Sequence, residues 1–147
     1  METSRLYKIA EIGNIAVDFG NLPHNRAFCV NYKGKKIIAI DKGFQSDSAE
    51  ERVALAHELG HCSTDGFYSV GTPLLYRRRL EKRAEIWAIE NLVPKNELST
   101  AIANGTETVS DLAEHFAVTE DFMQKQGYKH YRNVQNLRYP KGFTDRL

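Results

Sequence analysis

Apolar and polar positions recur with two different periods along this chain, and the change of period divides it. Leu6, Ile9 and Ala10 stand at helical spacing over 4–12, and Gly13-Asn14 supplies a stop. Residues 15–19, Ile-Ala-Val-Asp-Phe, read as a short strand, and 20–25, containing Pro23, as a loop. Two runs that suit a pleated surface follow at 26–32 and 35–40, with Lys33-Gly34 between them as a hairpin turn. From Ser48 onward the period is helical. Ser48 and Glu51 have capping-box spacing, and Val53, Ala56 and Gly60, with Leu55 and Leu59 beside them, carry the helix forward. Gly66 and Gly71 mark 63–73 as a loop. A second long helix is predicted from about Tyr76 to Leu92. Pro94 ends it and pushes Val93 out of the helical region. Shorter helices are expected near 95–103, 107–116 and 119–126, separated by Asn104-Gly105 and Val118. Helix, three strands, then helices only is the order of an α+β domain with one small antiparallel or mixed sheet.

Composition narrows the class. A chain of 147 residues, 41% hydrophobic and 27% charged, suits one globular domain that needs no disulfides. We expect that domain over 1–127. Residues 128–147 form a basic, tyrosine-containing tail, in which Lys129, Arg132, Arg138, Lys141 and Arg146 oppose only Asp145; it reads as solvated. A net charge of +1 supplies no global attraction to nucleic acid or an anionic membrane. Cys29 and Cys62 are expected as reduced thiols. Met1-Glu2-Thr3-Ser4-Arg5 leads into no apolar stretch, so no signal peptide is expected. Ile37-Ile38-Ala39-Ile40 is too short to span a bilayer. The expected location is the cytoplasm.

The chemistry concentrates in His57-Glu58-Leu59-Gly60-His61. Residues four apart on a helix lie one above the other, so His57 and His61 can aim two imidazoles at one ion. Glu58 lies roughly 100° round the helix, where it cannot ligate with them but can reach a water on the ion. Two zinc ligands and a general base is the logic of the H-E-x-x-H motif. A hydrolytic site needs a third protein ligand. Glu81 and Glu85 lie one turn apart on the second helix, and Ala84 and Ala88 are small enough for close approach. We assign Glu81 as the third ligand and Glu85 as the acceptor that holds a ligand histidine in one tautomer; spacing alone leaves the two roles exchangeable. One zinc per chain is expected, although such donors also accept manganese, cobalt or nickel. Tyr68 and Tyr76 are candidates to stabilise an oxyanion. Cys62 points away from His61 and reads as a small buried residue, whereas His24, His115 and His130 read as surface residues.

These runs resemble the ImmA/IrrE family of metallopeptidases. The resemblance is carried by His-Glu-Leu-Gly-His-Cys, Gly66-Phe67-Tyr68, the stretch Glu81 to Ala88 and Leu92-Val93-Pro94, and extends to Asp111–Thr119. It covers roughly residues 5–127. It implies a compact zincin-like fold, with ligand roles for His57, His61 and Glu81 and the base role for Glu58. Glu85 stands where the family usually has Asp or Asn. The resemblance further implies a phage or mobile-element setting and a substrate that is a helix-turn-helix repressor, cut to derepress the element.

Other readings compete at three places. Residues 108–126 look like a helix-turn-helix, but Glu107, Asp111, Glu114, Glu120 and Asp121 oppose only Lys125, which would repel DNA. A packing role is expected there, without specific DNA binding. Arg77-Arg78-Arg79 opens a helix, where the dipole disfavours cations, so the helix begins later or the run meets an acidic substrate; a solvated face is the plainer reading. A substrate is expected to lie extended along a sheet edge near 26–31. The same site would also serve a non-catalytic zinc-binding module that sequesters a repressor.

Overall fold

The computed structural model describes residues 2–23, 26–106 and 108–131; His24, Glu107 and the basic residues from Arg132 onward lie outside the described residues. Helix α1 (Thr3–Ile12) buries Leu6 and Ala10 and leads into β1 (Ala16–Gly20). Strands β2 (Ala27–Tyr32) and β3 (Lys35–Asp41) form an antiparallel hairpin with Ala27 opposite Ile40. Lys33 and Gly34 both take positive φ, 51° and 82°, as a turn matched to the strand twist requires. β1 pairs with β3 in parallel, Ala16 opposite Ile37, so the sheet is mixed and its order is β1-β3-β2. The central strand carries the fully buried Ile38 and Ile40, and β2 is an edge.

Helix α2 (Ala49–Ser63) packs on this sheet through Leu55 and Leu59, which join Leu6, Ile38 and Ile40 in the core. Each such side chain contributes about 1.5–3 kcal/mol by leaving water. Only half of the expected capping box forms. Ser48 Oγ accepts from the Glu51 amide at 3.2 Å, but Glu51 turns back to the Asp47 amide, 2.6 Å away, and to the Tyr7 hydroxyl on α1.

Helix α3 (Leu74–Leu92) begins earlier than the apolar period suggests. Pro73 precedes it with φ preset near the helical value, and the Arg77 guanidinium donates to the carbonyls of Thr72 and Val70. That local use of the cation outweighs its poor position in the helix dipole. Val93 leaves the helical region and Pro94 leads into α4 (Lys95–Ala103). Thr108 caps α5 (Val109–Phe116), Ala117 turns the chain with φ 52°, and Thr119 caps α6 (Glu120–Phe122). A π-helical turn (Met123–Gly127) and α7 (Tyr128–Tyr131) follow without the break expected at Gly127, and Tyr131 is buried. Leu112, Phe116, Val118, Phe122 and Met123 enter the same core as α2. Among the described residues no helix is long and apolar enough to cross a membrane.

Candidate metal centre

His57 and His61 stack their rings edge to face one turn apart on α2, with centroids 4.8 Å apart and Nε2 atoms 3.2 Å apart. Glu81 reaches them from α3. Its Oε2 lies 3.0 Å from His57 Nε2 and its Oε1 3.2 Å from His61 Nε2. Backbone contact between the helices makes this possible. A Cβ on Gly60 would lie 2.5 Å from the Ala84 carbonyl oxygen and 2.9 Å from Ala84 Cα, so only glycine fits at the crossing. Ala84 stands one turn beyond Glu81 on the same face of α3, and the crossing therefore fixes how far Glu81 stands from the histidines. The sequence pattern marks Gly60 only as one position of the helical period, not as part of the site. A glycine inside a helix costs about 1 kcal/mol relative to alanine, and that cost was the available signal of a packing need.

The end of α2 orients His61. Asp65 takes φ 52° and the Gly66 amide donates back to the His61 carbonyl at 2.8 Å, a left-handed helix stop. The Gly66 carbonyl in turn lies 2.8 Å from His61 Nδ1. A carbonyl only accepts, so Nδ1 carries the proton and the Nε2 lone pair faces His57 and Glu81. Lys36 of β3 fastens this corner, donating to the Cys62 carbonyl at 2.7 Å and pairing with Asp65 at 2.7 Å. Glu85 is not brought to the histidines. It lies a further turn along α3, about 6 Å along the axis, and its partner is Lys82 at 3.5 Å. The acceptor expected of Glu85 is, for His61, the Gly66 carbonyl.

A cleft of about 340 Å³ opens over the three groups, walled by Cys29 of β2, Glu58 and Tyr68. Glu58 is buried beside the histidines. The Tyr68 hydroxyl donates to Glu81 Oε1, and this bond, with burial and the Glu81 charge, pushes its pKa up to about 12. Tyr76 is exposed and lies outside the cleft wall. The Cys29 thiol is raised well above its ordinary range by its hydrogen bond to Cys62, by burial and by the nearby Glu58 carboxylate. Cys62 is fully buried, and both cysteines are free thiols. His115 is exposed, whereas the half-buried His130 meets Glu90 at 3.5 Å.

The donor set fits a zinc ion. Ligand atoms bound at about 2.0–2.1 Å in tetrahedral array stand about 3.3 Å from one another. Here the two Nε2 atoms stand 3.2 Å apart, and the Glu81 carboxylate spans them, with Oε2 3.0 Å from His57 and Oε1 3.2 Å from His61. Two imidazoles and a carboxylate converge, each able to turn a lone pair to one point, and they form a three-residue group that could hold a metal ion. A search of curated proteins finds no match. The sequence model of a peptidase family, described as the IrrE N-terminal-like domain, matches residues 16–126, which include both helices of the site. On that match the chain belongs to the ImmA/IrrE family, a family of zinc metallopeptidases.

Proposed function

We propose that this protein is an intracellular zinc-dependent endopeptidase that cuts a regulatory protein at a defined site. The observation that carries the reading is the convergence of His57, His61 and Glu81 in an open cleft with Glu58 at its wall. His57, His61 and Glu81 would hold the ion, one per chain. A zinc ion so held lowers the pKa of its water and polarises a carbonyl. Glu58 takes the proton of the attacking water on its carboxylate and delivers it to the leaving amine. The Gly66 carbonyl keeps His61 in the ligating tautomer. Tyr68, which lines the cleft beside Glu81, is the donor for the developing oxyanion. The substrate lies extended along the β2 edge, where Ala27 and Cys29 line the cleft and strand addition aligns its backbone. The family resemblance supports a helix-turn-helix repressor of a phage or mobile element as that substrate, with cleavage in the cytoplasm.

Glu58→Gln tests the reading. The variant should keep its zinc and lose hydrolysis by about 10²- to 10⁴-fold. In the native host, protein termini that arise with the wild-type chain should be absent with the variant. Equal termini in both would remove catalysis and leave a zinc-holding module that sequesters its partner.

A further inference from the structure

The first turns of α3 and the loop before them present large apolar side chains to solvent. Val70 is 93% exposed, Leu74 and Leu75 are each 64% exposed and Tyr76 54%. Single exposed apolar residues are ordinary, but three large ones in a row, Leu74-Leu75-Tyr76, with Val70 four residues before them, are not. Cations stand directly against them. Arg77 is committed to loop carbonyls and Lys82 to Glu85, but Arg78, Arg79 and Arg83 are exposed and have no carboxylate partner among the described residues. No acidic residue stands in the first turn of α3 to balance them. Position matters as much as composition. Arg78 precedes Glu81 by three residues and Leu74 precedes it by seven, so the three share one stripe of the helix. That stripe runs from Glu81 in the metal centre back toward the start of α3, and Arg77 lies over the ring of Tyr68 at 5.7 Å, tying the loop to the cleft.

We infer that the start of α3 and residues 67–73 form an exosite that holds an acidic, apolar segment of the protein substrate beside the scissile bond. The inference rests on the peptidase reading for its partner and on the surface itself for its chemistry. Leucine-type side chains of the partner cover Leu74 and Leu75, and its carboxylates meet Arg78 and Arg79. Three cations that no carboxylate among the described residues neutralises thereby gain counter-charges, and a repelled basic segment is excluded.

The test uses two labelled helical peptides, one with a leucine face and glutamates elsewhere, the other with lysines replacing the glutamates. Both are titrated by fluorescence anisotropy onto the zinc-loaded full chain carrying Glu58→Gln. The glutamate peptide should bind about tenfold more tightly, and less so as salt rises. Adding Arg78→Glu with Arg79→Glu should reverse the preference, and adding Leu74→Ser with Leu75→Ser should weaken both peptides, with zinc content unchanged in each. Equal binding, no binding, or a preference that survives the arginine changes would overturn the exosite. So would a dimer in sedimentation that the leucine changes dissolve while peptide binding stays as it was, which would assign the face to a second copy. Hydrolysis is scored separately on the wild-type chain. Capture of the acidic peptide with the same native-host termini for wild type and Glu58→Gln removes the peptidase reading alone, and Glu58-dependent termini without acidic preference remove the exosite alone.

Discussion

At its N-terminal end α2 carries Glu51 and Arg52, and at its C-terminal end His57, Glu58 and His61; Glu51, Arg52, Glu58 and His61 are all buried. The two ends treat those polar groups differently. Glu51 receives hydrogen bonds from Tyr7 and from the Asp47 amide, while Arg52 donates to the Asp47 carboxylate and to the Ala117 carbonyl. Donors there meet acceptors, and among the described residues only Arg52 Nε is buried without a partner. At the other end two imidazoles and a carboxylate face one another, with the Tyr68 hydroxyl as the outside donor. The cleft at the matched end is the larger, about 910 Å³ against about 340 Å³. Chemistry therefore follows the surplus of lone pairs and not the size of the hollow.

If that contrast is right, changes at the two ends should separate metal binding from stability. Glu81→Ala should have the largest effect. Plasma mass spectrometry should find about one zinc per native chain and a sharply reduced content in the variant, with circular dichroism unchanged. Next comes Gly60→Ala, whose new methyl meets backbone atoms of Ala84. The helices must part, and zinc affinity measured by competition with a chelator should fall by about 10- to 100-fold. Arg52→Ala should act in the opposite sense. It leaves the Ala117 carbonyl without its donor and removes one partner of the Asp47 carboxylate, so urea unfolding should show a loss of about 1–3 kcal/mol while zinc content holds. The smallest effect belongs to Asp47. Thr3's hydroxyl bond and the Arg52 guanidinium hold its carboxyl below the ordinary value of 3.8. A lowered folded pKa gives stability that is present above the unfolded value and lost as pH falls through the folded one. Asp47→Asn tolerates the positive φ of 60° at this position, and its urea midpoint should decline less than the wild type's below about pH 4.

What the sequence made legible was local. The hairpin and its turn, the stop at Pro94 and the placing of His57 and His61 on one helix face all depend on residues a few positions apart. The parallel pairing of β1 with β3 joins strands separated by the hairpin partner, and no short-range pattern reports it. Leu74 begins α3 because Arg77 binds carbonyls in the preceding loop, a contact that a dipole argument on the helix alone misses. Glu85 attracted a role because side chains have identities in a sequence, whereas the acceptor that His61 uses is a backbone carbonyl, which every residue has. The helical run passes Gly127 because Tyr131 finds a buried place, and burial outweighs one residue's weak propensity.

Gly66 holds His61 from both sides, its amide on the histidine's carbonyl and its carbonyl on the imidazole. The stop signal of the helix and the choice of ring nitrogen are thus one structural event. The length of the chain between them is therefore part of the chemistry: one residue added or removed between Cys62 and Gly66 would take away the acceptor that keeps the imidazole's proton on Nδ1.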